Sequence, residues 1–128
     1  MAVYIIAEAG VNHNGRLDLA LRLCDVAKAA GVDAVKFQTW KTEKIVTQTA
    51  AKATYQVENT HSNEETQFDM LKKLELSYRQ FFEIKEYCDK IGIDFLSTPD
   101  EEDSLDFLVS LHLPFLKIGS GEVNNIPY

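Results

Sequence analysis

Four short apolar runs recur along this chain, and each closes on charged, amide or hydroxyl residues. They are Ile5-Ile6-Ala7-Glu8, Ala34-Val35-Lys36-Phe37-Gln38-Thr39, Asp94-Phe95-Leu96-Ser97-Thr98-Pro99 and Phe115-Leu116-Lys117-Ile118-Gly119-Ser120-Gly121-Glu122. Nearly unbroken apolar runs of this length suit strands of a parallel sheet covered on both faces. A buried charge without a partner costs several kcal/mol, so packing alone does not explain the polar closures. A strand tip is a good place to aim such groups at a ligand. In a parallel α/β barrel all four tips point into one mouth, where catalytic groups sit.

The stretches between these runs read as helices. Val3 to Ala9 is the first strand, followed by the turn-rich Gly10-Val11-Asn12-His13-Asn14-Gly15. Leu17, Ala20, Cys24 and Ala27, with Leu21 beside them, mark the buried face of a helix over Leu17 to Ala30, which Gly31 stops. Val32 to Thr39 is the second strand. A long loop from Trp40 to about His61 carries Lys41, Lys44, Lys52 and Tyr55, a length typical of lids and binding loops. Ser62 with Glu65 offers a capping box for a helix whose apolar stripe is Phe68, Leu71 and Leu74. Ser77 with Gln80 opens another, with Phe81, Ile84 and Cys88 on its face and Gly92 at its end. Ile93 to Ser97 is the third strand. Asp100 is expected to cap a helix over Glu101 to Leu111, and Phe115 to Gly119 is the fourth strand.

Strands alternating with helices imply a parallel sheet with right-handed crossovers. A doubly wound dinucleotide-binding sheet would carry GxGxxG at its first turn, and this chain has none. Polar residues at each successive tip favour a (β/α)8 TIM barrel, of which this chain supplies roughly the first four strands and their helices. On this reading residues 1–128 form the N-terminal half of one catalytic domain, completed by further chain or by a second copy.

Composition narrows the partners. The net charge of −7 opposes a general nucleic-acid surface and docking on anionic lipid. It also requires any anionic substrate to be held by local cations. No run reaches the roughly 18 apolar residues of a membrane span. The start of the chain lacks a basic region before its first apolar run, so a secretory leader is not expected and the expected location is the cytoplasm. Cys24 and Cys88 fall on helical apolar faces without CxxC spacing and are expected to be reduced core residues.

Five stretches in order carry a family resemblance. Ala7-Glu8-Ala9-Gly10-Val11-Asn12-His13-Asn14-Gly15 resembles the opening motif of the N-acetylneuraminate (sialic acid) and nonulosonic acid synthase family. Val35-Lys36-Phe37-Gln38-Thr39 is similar to its second-strand motif. Met70-Leu71-Lys72-Lys73-Leu74-Glu75-Leu76, Phe95-Leu96-Ser97-Thr98-Pro99 and Lys117-Ile118-Gly119-Ser120-Gly121-Glu122 resemble later blocks. The resemblance implies condensation of phosphoenolpyruvate with an N-acetylmannosamine-type sugar, giving a nine-carbon 2-keto sugar acid and phosphate. It implies a divalent metal, Mn or Mg, whose histidine ligands lie outside this chain. It also implies a homodimer when the protein is full length.

By the same resemblance Lys36, Thr98, Lys117 and Ser120 are phosphoenolpyruvate contacts, with Gln38 a neutral hydrogen-bonding partner. Glu8 and Glu122 are the carboxylates for proton transfer, their acid and base roles left open. The chemistry of these residues fits a small polyanion: two lysines give charge and two hydroxyls donate. A structural ion pair of Lys36 with Glu8 or Glu122 is the plain alternative. His13, His61 and His112 are not assigned as metal ligands. Asp100 follows Thr98-Pro99 where many relatives carry an apolar residue; facing inward it would repel a phosphate, so it is expected to cap the next helix. Two other functions fit the residues less well: an aldolase forming a Schiff base on Lys36 or Lys117, and a non-catalytic half-barrel for binding or assembly.

Overall fold

The computed structural model of the chain describes residues 3–50 and 66–128. Its centre is a three-stranded parallel sheet in the order β1-β2-β3, formed by Ile6–Gly10, Ala34–Thr39 and Asp94–Pro99. Glu8 pairs with Lys36, Lys36 with Leu96, and Gln38 with Thr98. Side chains alternate between faces along a strand, and residues paired in a parallel ladder share a face. Val35, Phe37 and Phe95 therefore project to one side and Lys36, Gln38, Leu96 and Thr98 to the other.

The apolar side is covered by two long helices, α1 (Leu17–Ala29) and α4 (Tyr78–Ile91). Ala20, Cys24 and Ala27 of α1 meet Phe81, Ile84 and Cys88 of α4 in one core with Val35, Phe37 and Phe95 of the sheet. The helical spacing expected from the sequence is thus realised, and the Ser77–Gln80 capping box starts α4 as expected. The two thiols are free and lie 3.5 Å apart with no exposure. Cys88 is held far toward its neutral form by its hydrogen bond to Cys24 and by burial.

Three helices differ from expectation. The span after β2 holds a short helix, α2 (Thr42–Ile45), where a plain loop was expected; Lys52, Tyr55 and His61 lie outside the described residues. The next helix, α3 (Gln67–Leu74), is started by a capping box of Thr66 with Asp69. Ser62 and Glu65 also lie outside the described residues. Helix α5 (Glu102–Ser110) is capped by Glu101, whose carboxylate accepts from the backbone N–H groups of Asp103 and Ser104, and not by Asp100.

The fourth run is the largest correction. Residues 115–119 form no ladder with the sheet, and Phe115, Leu116 and Ile118 are 57%, 40% and 57% exposed. The segment still travels in the direction of a parallel strand. Phe115 packs edge-on against Tyr4, whose hydroxyl donates to Asp94 at the foot of β3, and Gly119 lies against the Thr98 methyl near its top. The run nonetheless stays largely open to solvent, so pairing would gain one ladder and little burial. The same lack of cover leaves Val3, Tyr4, Ile5 and Ile6 exposed, although the sequence reads as a strand buried on both faces.

Candidate functional site

Of the polar side chains expected at the strand tips, Glu8, Lys36, Gln38 and Thr98 stand on the face of the sheet away from α1 and α4. Lys36 is at their centre. Its Nζ lies 2.6 Å from Glu8 Oε2 and donates to Thr98 Oγ1 at 3.2 Å. The parallel register produces this triad directly, because Glu8, Lys36 and Thr98 come from three neighbouring strands on one face. The Lys36 side chain is 12% exposed and that of Glu8 52%, so the ammonium is recessed and one carboxylate edge remains open to solvent. The structural ion pair considered for Lys36 is therefore present, with Glu8 as partner. It does not exclude ligand binding, since an exposed carboxylate can yield its place to an incoming anion.

A bulge between Glu8 and Gly10 shapes this corner. Gly10 sits at φ +52°, and a β-carbon there would come within 3.2 Å of Glu8 Oε1 and 3.8 Å of Gln38 Nε2. Gly10 thus leaves room for the Glu8 carboxylate and the Gln38 amide. Behind it, His13 is fully buried and packs near Phe37. Its Nδ1 accepts from Gly15 N–H at 3.1 Å, while Nε2 has no protein partner. Burial pushes the His13 pKa down.

The residues after the missing fourth ladder are less gathered. Lys117 Nζ donates to its neighbour's carbonyl, Ile118 O, at 2.6 Å and is not brought to Lys36. Ser120 begins a single 3-10 turn, Ser120–Glu122, and is exposed. Glu122 accepts from Asn125 Nδ2 at 2.6 Å and faces a hollow of about 280 Å³ beside the β3 tip. Asp100, Glu101, Glu102, Lys44 and Tyr128 also line it. The expectation that Asp100 turns away as a helix cap is overturned. Its backbone is tied back to Thr39 O, which leaves its side chain in the hollow while Glu101 caps α5. Burial pushes the Asp100 pKa up to about 6, opposed by Lys36 and reinforced by Glu122 and Glu101.

Sequence reasoning assigned no role to Glu75, which the structure shows to be the clamp of the β2 exit. Its carboxylate accepts from Thr42 N–H at 2.9 Å and Thr42 Oγ1 at 2.7 Å, and meets Lys72 at 3.1 Å. Burial would raise its pKa, but the hydrogen bonds from Thr42 and Lys72 prevail and hold it low. Trp40 Nε1 donates to the same Thr42 hydroxyl, so α2, α3 and the end of β2 are fixed together. Its place in the Met70–Leu76 motif was the available signal; its partner lies 33 residues away.

Among the described residues, no three His, Cys, Asp or Glu side chains gather as a metal site. The described residues thus offer no such set of side chains to hold a divalent metal. No helix among the described residues is long and apolar enough to cross a membrane.

The chain matches the NeuB family over residues 23–128. It is 51% identical over its whole length to the N,N'-diacetyllegionaminic acid synthase of Legionella pneumophila, covering 36% of that protein. It is 38% identical over 98% of its length to the human N-acetylneuraminate-9-phosphate synthase, covering 34% of it. Among solved structures, the N-acetylneuraminic acid synthetase of Leptospira borgpetersenii superposes with a TM-score of 0.80 at 32% identity, over 99% of this chain and 39% of that one. The chain spans about a third of the length of the curated relatives it matches.

Proposed function

The chain belongs to the NeuB family, and from that premise we propose that it is the N-terminal part of a synthase joining phosphoenolpyruvate to an N-acetylmannosamine-type sugar. The product would be a nine-carbon 2-keto sugar acid, with release of phosphate. The observation that carries this reading is the Glu8–Lys36–Thr98 triad on the face of the sheet opposite α1 and α4. A recessed ammonium with a hydroxyl beside it suits the phosphate or carboxylate of phosphoenolpyruvate.

In this proposal the sheet is the first part of a (β/α)8 barrel, and residues 1–128 are the N-terminal half of its domain. The parallel order, the polar inner face and the uncovered apolar run at 115–118 all support it. Lys36 and Thr98 hold the anion first. Lys117 turns from Ile118 O toward it, and the Ser120 hydroxyl and Gln38 amide complete its hydrogen bonds. Carbon 3 of the enol attacks the aldehyde of the open-chain sugar, water adds at carbon 2, and the C–O bond to phosphate breaks. Glu8 and Glu122 hold and move the protons of the sugar oxygen and the attacking water. A divalent metal, Mn or Mg, with ligands outside this chain, homodimer assembly and a cytoplasmic location belong to the same proposal.

The ion pair with Glu8 occupies Lys36 as an ammonium, which supports anion binding over nucleophilic attack. Two experiments test the assignment on the native protein. Lys117→Ala is expected to weaken phosphoenolpyruvate binding by a large factor; unchanged affinity counts against the reading. Borohydride with a carbonyl substrate is expected to trap no adduct, whereas a trapped lysine would indicate a Schiff-base aldolase.

A further inference from the structure

The turn behind Glu8 contains a chemically reactive step that the proposed catalysis does not use. Asn14-Gly15 is the one Asn-Gly step in the sequence. In such a step the glycine nitrogen can attack the asparagine side-chain amide, because no β-carbon shields it. The bond from Gly15 N to Asn14 Cγ forms, the Cγ–Nδ2 bond breaks, and ammonia leaves with the Gly15 amide proton. Water then opens the cyclic imide at either carbonyl, which leaves aspartate or isoaspartate. Asn14 is exposed, so water reaches it.

The surrounding geometry opposes this attack. Asn14 and Gly15 lie at φ +50° and +69°, and Arg16 N–H donates to His13 O at 2.9 Å. Positive φ at both central residues makes His13 to Arg16 a type I′ turn, for which Asn-Gly is a favoured pair. Asn14 N–H is held by Val11 O at 3.0 Å. The attacking nitrogen is itself engaged, because Gly15 N–H donates at 3.1 Å to Nδ1 of the fully buried His13. The His13 ring is kept in place against Phe37 of β2, with centroids 6.1 Å apart. Gly15 also lies against α3, where a β-carbon would stand 2.1 Å from the Lys73 carbonyl oxygen. Imide formation therefore requires Gly15 to leave both His13 and α3, and the turn to unwind. We propose that Asn14 is a deamidation site of this chain, latched shut by the buried His13 through its bond to the Gly15 amide. Isoaspartate carries one more backbone atom and no longer fits the turn, so an opening that reacts is not reversed.

The test is peptide mapping by mass spectrometry of the native protein aged in mildly alkaline buffer, beside a synthetic peptide spanning residues 8–20. The native protein is expected to deamidate at Asn14 about tenfold more slowly than the peptide, because attack waits on a local opening. His13→Phe fills the space without an acceptor and should age about fivefold faster than wild type, the factor that one hydrogen bond commands. His13→Asn is smaller and packs less well, yet its side-chain oxygen can accept from Gly15 N–H as an Asx-turn, so it should stay slow. Ile84→Val loosens the core on α4 and should also stay slow. Equal rates in native protein and peptide, or in wild type and His13→Phe, overturn the proposal. Ageing of His13→Asn or Ile84→Val as fast as His13→Phe overturns it too, because general loosening would then be the cause. The readout is a covalent change and not turnover, so its outcome is independent of the synthase reading.

Discussion

Gly15 closes the turn-rich loop behind Glu8, and replacing it with alanine is a sharp test of how that loop is held. Two separate penalties apply. Gly15 lies at φ +69°, which costs an L-residue roughly 1–2 kcal/mol. A β-carbon would also stand 2.1 Å from the backbone oxygen of Lys73 in α3. Ordinary carbon–oxygen contact is about 3.3 Å or more, so the overlap exceeds 1 Å against rigid backbone. Relief requires the loop and α3 to part, a shift of the kind that costs roughly 1–3 kcal/mol in packed interiors. Gly31 supplies the control, because it has φ +75° with nothing within 4 Å of its β-carbon position. Gly31→Ala should therefore lose about 1 kcal/mol, and Gly15→Ala about 3 kcal/mol. Urea unfolding followed by circular dichroism gives both numbers. Equal losses would refute the claim that the loop is pressed against α3.

Three further outcomes are expected. Glu75→Ala removes the acceptor for both Thr42 donors and the partner of Lys72, and should cost about 2–4 kcal/mol, with Trp40 fluorescence reporting the loosened β2 exit; a loss under about 0.5 kcal/mol would contradict the clamp. Asp100 has a folded pKa above its unfolded one, so it holds extra protons in the native state and stability falls as pH rises from about 4 to about 6. Asp100→Asn should therefore gain about 1–2 kcal/mol at neutral pH and nothing near pH 3, measured by urea midpoints across pH. His13 has a depressed folded pKa, so its contribution is lost as pH falls below about 6.5, and His13→Phe should flatten the acid limb of the same curve.

What the sequence could reveal was local. The Ser77–Gln80 box and the Ala20–Cys24–Ala27 face depend on spacing within a turn or two, and both stand as read. The phase of β2 was equally legible: Lys36 and Gln38 must share a face, opposite Val35 and Phe37. The missing pieces depend on distant partners. Phe115 to Gly119 has the composition of a strand, yet a ladder also needs cover, and composition does not say whether cover is present. Asp100 and Glu101 are adjacent acids before one helix; the tie from Asp100 N–H to Thr39 O decides which of them caps. Of the candidate site, Glu8, Lys36 and Thr98 come together because register follows strand phase. Lys117, Ser120 and Glu122 hang on the unpaired segment, and the triad does not include them.

The central claim is most directly tested by phosphate release from phosphoenolpyruvate that carries a heavy-oxygen label in its bridging atom. The native protein is incubated with this substrate, an N-acetylmannosamine-type sugar and a divalent metal, and the phosphate is analysed by mass spectrometry. The account predicts phosphate that appears only when the sugar is present and that carries the bridging label, because the C–O bond breaks. Label-free phosphate, or release that does not require the sugar, would contradict it.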